Sequence, residues 1–211
     1  MSEPSSSQRT HWQKVYQHKD ARSVSWFRPH LDVSLDLLRQ AGLNTASRLI
    51  DVGGGASTLV DDLLEMGLTQ LTVLDLSEEA LEVARKRLGK KAADVHWLAS
   101  DILRTELAEA SFDYWHDRAV LHFLTAEKDA RRYAEVATDA VVPGGYAVIG
   151  GFAEDGPERC SGLPVARRNP TEIAELLTPG FTLIGQRREQ HRTPGEAVQA
   201  FNYAVLRRAE K

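Results

Sequence analysis

The stretch Leu49-Ile50-Asp51-Val52-Gly53-Gly54-Gly55-Ala56-Ser57 decides how this chain is read. An apolar run enters a glycine turn, and Leu59, Leu63 and Met66 then recur at helical spacing up to Gly67, which reads as strand, tight loop and helix. Outward from it the unit repeats. Leu71 to Leu76 is a second strand, and Ser77-Glu78-Glu79 places a capping hydroxyl and two carboxylates at a helix start whose other end holds Lys86-Arg87 before Gly89. Val95–Ala99 and Phe112–His116 read as third and fourth strands. A helix is expected over about 126–140, and Tyr146–Gly150 follows a turn at Pro143-Gly144-Gly145. Five strands with helical crossovers imply a parallel sheet covered on both faces. A helix near Thr171–Leu177, a strand Phe181–Arg187, a turn at His191–Gly195 and a strand Ala200–Arg207 predict a terminal antiparallel hairpin. The expected fold is therefore α/β, with a seven-stranded, mostly parallel sheet.

The 211 residues, 42% hydrophobic with four Trp, six Phe and five Tyr, suffice for one domain with a sizeable core. Residues 1–8 read as a tail and 9–45 as an N-terminal helical lid or cap, with a short helix around His11–Tyr16 and a second over about 30–41. The main domain is placed at 46–211. Twenty-six basic against 30 acidic residues give a net charge of −4, which lacks the positive excess that nucleic acid demands. A single cysteine, Cys160, excludes an internal disulfide and a multi-cysteine metal site. With a polar start and no long apolar run, the expectation is a cytoplasmic protein, monomer or homodimer, with no membrane partner.

Asp75 lies 24 residues beyond Asp51 at the end of the second strand, where a carboxylate accepts from both hydroxyls of a ribose. An adenosine-containing ligand is implied. The dinucleotide fingerprint wants a third glycine at position 58, which is Thr, and the lysine-bearing triphosphate loop is absent. Both facts steer away from NAD, FAD and nucleoside triphosphates.

Residues 48–152 resemble, in order, the class I S-adenosylmethionine-dependent methyltransferases, a Rossmann-like family with helices on both faces of its sheet. Leu49 to Gly55 looks like the first motif, Val73-Leu74-Asp75-Leu76-Ser77 the second, Ala99-Ser100-Asp101-Ile102 the third, and Phe112 to Asp117 the fourth. Ser57 stands where the first motif usually ends in glycine. The resemblance implies S-adenosylmethionine as cofactor, with S-adenosylhomocysteine as product. It assigns Asp51 and Gly53, Gly54 and Gly55 to the methionine portion, Asp75 to the ribose, and Asp101 to the adenine amino group with Leu76 and Ile102 flanking the ring. The segment around His116 and Asp117 would face the amino end. Asp101 also suits a plain turn, and Leu76 and Ile102 also suit core packing.

For the acceptor side, Trp12, Tyr16, Trp26 and Phe27 are expected to fold over the cofactor as a lid, with Trp26 against the cofactor itself and Trp12 and Tyr16 toward the acceptor. The segment Phe152–Arg168 is too long for a connector and leaves the carboxyl end of a strand, the ligand-binding side of such sheets. It brings Cys160 and Arg168 forward as acceptor contacts, and His191 joins them from the terminal turn. Asp117 and His122 are the catalytic candidates, and no metal site is expected. The family's Asn-Pro-Pro-aromatic signature is missing after the fourth strand, which argues against nucleobase methylation. The chain looks similar to small bacterial enzymes of the thiol and tellurite type. The resemblance thus implies methyl transfer to a small acceptor (a thiol, metalloid anion or natural product). A protein-lysine acceptor and a non-catalytic cofactor-binding module are the alternatives.

Overall fold

The computed structural model describes residues 4–210. Two helices, α1 (Pro4–His18) and α2 (Asp32–Gln40), precede the alternating core of β1 (Arg48–Val52), α3 (Leu59–Glu65), β2 (Gln70–Asp75), α4 (Glu78–Leu88), β3 (Val95–Ala99), β4 (Phe112–Arg118), α5 (Glu127–Ala140) and β5 (Val141–Phe152). A small hairpin of β6 (Arg159–Cys160) and β7 (Leu163–Pro164) leads to α6 (Pro170–Leu177), β8 (Phe181–Arg192) and β9 (Val198–Arg208). The main sheet runs β3-β2-β1-β4-β5-β9-β8. Its first five strands are parallel, and β9 and β8 are antiparallel. This is the expected seven-stranded architecture.

Strand alternation divides the core into two layers. Leu49, Leu71, Val73 and Tyr114 pack with Leu35 and Leu38 of α2, Leu63 of α3 and Leu81 of α4. Ile50, Val52, Trp115 and Ile149 face Tyr133 and Ala137 of α5 and Ile173 and Leu177 of α6. The Trp115 indole N–H donates to the Tyr133 hydroxyl at 2.8 Å, which satisfies the one polar atom its burial would strand. Local signals set the helix starts: Ser77 Oγ accepts from Ala80 N–H at 3.2 Å, and Asn169 with Glu172 forms a capping box on α6.

Four expectations are corrected. Helix α1 begins at Pro4, so residues 4–8 belong to it rather than to a tail, while residues 1–3 lie outside the described residues. The crossover from β3 to β4, residues 100–111, contains turns and no helix. The Pro143-Gly144-Gly145 turn is a bulge within β5, where Gly144 has φ +76° and the pairing with β4 shifts register. The terminal strands are longer than their sequence signal, so His191 pairs with Gln199 inside the hairpin instead of sitting at its turn. Among the described residues, no helix is long and apolar enough to cross a membrane.

Candidate functional site

The loop after β1 is anchored to the neighbouring strand, with the N–H groups of Gly53 and Gly54 donating to Leu74 O at 2.7 and 3.2 Å. Gly55 has φ +26°, and a Cβ there would lie 2.5 Å from Asp75 Oδ2 and 2.9 Å from Ala80 Cβ. Glycine is required because the Asp75 carboxylate occupies the space beside it. Thr58, the departure from the dinucleotide pattern, turns away from the loop, and its hydroxyl donates to Arg28 O at 2.9 Å. The residue that denies the third glycine therefore ties the N-terminal segment to α3.

Asp75 Oδ1 accepts from Ser77 N–H at 2.8 Å. Burial pushes this carboxyl up to about 7, against the pull of that bond. Asp101 accepts from Leu103 N–H at 3.0 Å and closes a turn. Asp75, Leu76, Asp101 and Ile102 line one end of a cavity at the carboxyl ends of the parallel strands, with Gly53 at its edge. The cavity is partly open to solvent and mainly apolar in its lining, with a few convergent polar groups, as small-molecule sites are. Ile102 also packs into the α5 layer, so its two expected roles coexist.

Beneath the loop, Asp51 and His116 are directly paired across β1 and β4. Asp51 Oδ1 and His116 Nδ1 are 2.7 Å apart, and His116 Nε2 is 2.9 Å from Ser34 Oγ of α2. Asp51 Oδ2 is buried without a hydrogen-bond partner, and a Cβ on Gly54 would come within 2.5 Å of it. These two residues form a floor under the loop, outside the main cavity. The His116 side chain is fully buried there.

The other end of the cavity is aromatic. Trp12 and Tyr16 of α1 meet Trp26, with ring centroids 5.6 Å apart for Trp12 and Trp26, and Trp12 reaches Phe123 at 5.2 Å. The Trp26 indole N–H donates to the Tyr16 hydroxyl at 3.2 Å. Phe152 and Phe201, adjacent on β5 and β9, supply the far wall. Cys160 of β6 closes it, its thiol pushed up to about 11 by burial, with Arg118 pulling the other way. His122 lines the same wall in a short helical turn, Leu121–Phe123. Both its ring nitrogens are buried without hydrogen-bond partners. Burial, with Arg118 and Arg168 adding to it, lowers its pKa to about 3 and holds the imidazole neutral.

Three expected site residues lie elsewhere. Asp117 is fully buried on the α5 face, where it accepts from Val120 N–H at 2.7 Å, Leu121 N–H at 3.0 Å and the Tyr133 hydroxyl at 2.6 Å. It holds the turn that presents His122, and both its oxygens are committed. Arg168 donates to Leu121 O at 3.2 Å and Leu124 O at 2.9 Å, so it braces that turn from behind. His191 Nε2 donates to Ser25 O at 2.7 Å, behind Phe201. In exchange, the cavity holds Arg118, which the sequence reading passed over. It follows Asp117 by one residue and therefore points to the opposite face of β4, the side of Tyr114 and His116. Continuing that alternation to the end of the strand is the signal that finds it.

The profile of the family described as "Methyltransferase domain" matches residues 49–145. An eEF1A lysine and N-terminal methyltransferase of Danio rerio is 24% identical over 143 residues, covering 66% of this chain and 20% of that protein. The chain thus spans about one fifth of the length of that relative. A solved structure described as the conversion of a disulfide bond into a thioacetal group during echinomycin biosynthesis superposes with a TM-score of 0.79 at 20% identity, over 97% of this chain and 93% of that one. The 1,6-didemethyltoxoflavin-N1-methyltransferase of Burkholderia thailandensis, with S-adenosylhomocysteine bound, superposes with a TM-score of 0.72 at 21% identity, over 99% and 92%. The motif order, the strand order and the matched segment agree: residues 49–145 match a methyltransferase-domain family, and the chain shares the fold of solved S-adenosylmethionine-dependent methyltransferases.

Proposed function

We propose that this protein transfers a methyl group from S-adenosylmethionine to a small-molecule acceptor held in the aromatic half of the cavity. The observation that carries the reading is the continuity of two unlike half-sites. A glycine loop with two carboxylates opens directly into a mainly apolar chamber, partly open to solvent, between α1 and the β6-β7 hairpin.

The residues present fit the cofactor. The absence of a Cβ at Gly55 makes room for the Asp75 carboxylate itself, which would take the ribose diol. Asp101, Leu76 and Ile102 would take the adenine, Gly53 and Gly54 the methionine portion, and Trp26 would cover them. When bound, S-adenosylmethionine supplies an electrophilic methyl group on a sulfonium. The chain's own part is to hold the acceptor atom in line and keep water out, which the Trp12, Trp26 and Phe123 cluster does by closing one side. His122 is a neutral hydrogen-bonding group there rather than a strong base, because a basicity this low gives little driving force for taking a proton.

A protein-lysine acceptor is the second reading, favoured by the name of the Danio rerio relative. The test is transfer from methyl-labelled cofactor into cell extract divided into small-molecule and protein fractions. Label in the small-molecule fraction is expected. Label confined to a protein band would replace this reading with the lysine one, and cofactor binding without transfer to either fraction would favour a non-catalytic module.

A further inference from the structure

Arg118 is built into the cavity wall more elaborately than a packing residue needs. Its Nε–H donates to the Tyr203 hydroxyl at 2.9 Å, that hydroxyl donates to Glu189 at 2.8 Å, and Nη1 reaches Trp26 O at 3.3 Å. The guanidinium carbon stands 4.4 Å from the centroid of the Phe201 ring. Gly150 makes the arrangement possible, since a Cβ there would come within 2.6 Å of the Tyr203 ring. With all this support, Nη2 has no hydrogen-bond partner, although the side chain is only 7% exposed and Glu189 lies 3.8 Å away. The two ring nitrogens of His122, on the same wall, are likewise unpaired.

Buried N–H groups of charged side chains are costly to leave without a hydrogen bond, and three such buried polar atoms, carried by two residues that line one aromatic chamber, mark a place for a ligand's polar group. We propose that Arg118 is the acceptor-binding residue, and that the acceptor is a flat, largely apolar molecule whose ionised oxygen or sulfur accepts from Nη2 with His122 as its neutral second partner. This rests on the methyltransferase reading and narrows it to acceptors that carry an anion. Phe152 and Phe201, edge to face with ring centroids 4.9 Å apart, form one apolar wall for the acceptor's body. The guanidinium is held by Phe201, Tyr203 and Glu189 of the terminal hairpin and by Trp26 O, and Arg118 also lines a neighbouring cleft with Gly53, Gly54 and Ser57 of the glycine loop, so the experiment must separate the acceptor from the cofactor's own carboxylate.

The test uses 4-nitrophenol, ionised at pH 8.5, and nitrobenzene as its neutral counterpart, each titrated into the full chain saturated with S-adenosylhomocysteine. The phenolate is expected to bind at least about tenfold more tightly than nitrobenzene, the scale of one hydrogen bond from a charged donor. Arg118→Met should erase that preference while leaving nitrobenzene binding and S-adenosylhomocysteine affinity within about twofold. Because Glu189 would be left unpaired, Arg118→Met/Glu189→Gln is the companion variant and should behave alike. Equal binding of the two probes by the wild-type complex overturns the proposal without any variant, as does failure of both to bind. If Arg118→Met weakens S-adenosylhomocysteine but not 5′-methylthioadenosine, which lacks the amino-acid end, the guanidinium holds the cofactor's carboxylate and the proposal fails. Absence of S-adenosylhomocysteine binding to the wild type would instead sink the reading beneath it.

Discussion

Asp75→Asn separates what this residue does for the ligand from what it costs the fold. Burial raises its carboxyl from 3.8 to about 7, so between those values the folded protein holds a proton that the unfolded chain has released. Stability must then fall as pH rises through that window, because the native state binds more protons. Integrating one such site gives a penalty of about 2 kcal/mol at pH 5 and about 4 kcal/mol at pH 8. Asparagine carries no such term and keeps an oxygen for the Ser77 N–H. The gain in unfolding free energy from Asp75→Asn, read from urea denaturation of the ligand-free proteins, should therefore be about 2–3 kcal/mol larger at pH 8 than at pH 5. Other titrating groups are common to both proteins and cancel in the difference. The same substitution should weaken S-adenosylhomocysteine at least about tenfold in calorimetry, since an amide presents one acceptor where the diol needs two. Parallel pH profiles for the two proteins would refute the electrostatic argument, and unchanged affinity would refute the ribose assignment. Both outcomes together would remove Asp75 from the site.

Asp117→Ala should destabilise the fold by about 2–4 kcal/mol through the three donors it strands, measured by urea denaturation. A variant as stable as wild type but inactive would return Asp117 to the catalytic list. The His122 imidazole is held neutral, its pKa lowered to about 3, so ionisation of this side chain should add no limb to the pH dependence of turnover between pH 5 and 8. A limb near the ordinary histidine value that disappears in His122→Gln would overturn that assignment.

The glycine loop and its partner acid were legible because their signals are local. Strand alternation, a run of glycines and a capping serine each act within a few residues, and together they place Gly53, Asp75 and Asp101 at the ends of consecutive parallel strands. The N-terminal aromatics were legible as a group for the same reason, since Trp12 and Tyr16 share one helical face. Asp117 was misplaced because a motif position gives no face: alternation turns it toward Tyr133 and delivers Arg118 to the other side. Arg168 and His191 failed differently. Each is polar and near the right loop, but backbone carbonyls at Leu121, Leu124 and Ser25 were there to claim them, and such carbonyls have no sequence signature.

The sequence by itself determined the order of the main strands, the glycine loop with its partner acid and the sign of the overall charge, because each is written in neighbouring residues. Tertiary structure alone decided the aromatic chamber. Arg118, Phe152, Cys160 and Phe201 are drawn together by pairing of β5 with β9 and by the return of the β6-β7 hairpin, contacts whose partners lie far apart in the chain. The state of each group there follows from how much water the assembled wall excludes, and that is a property of the packed molecule.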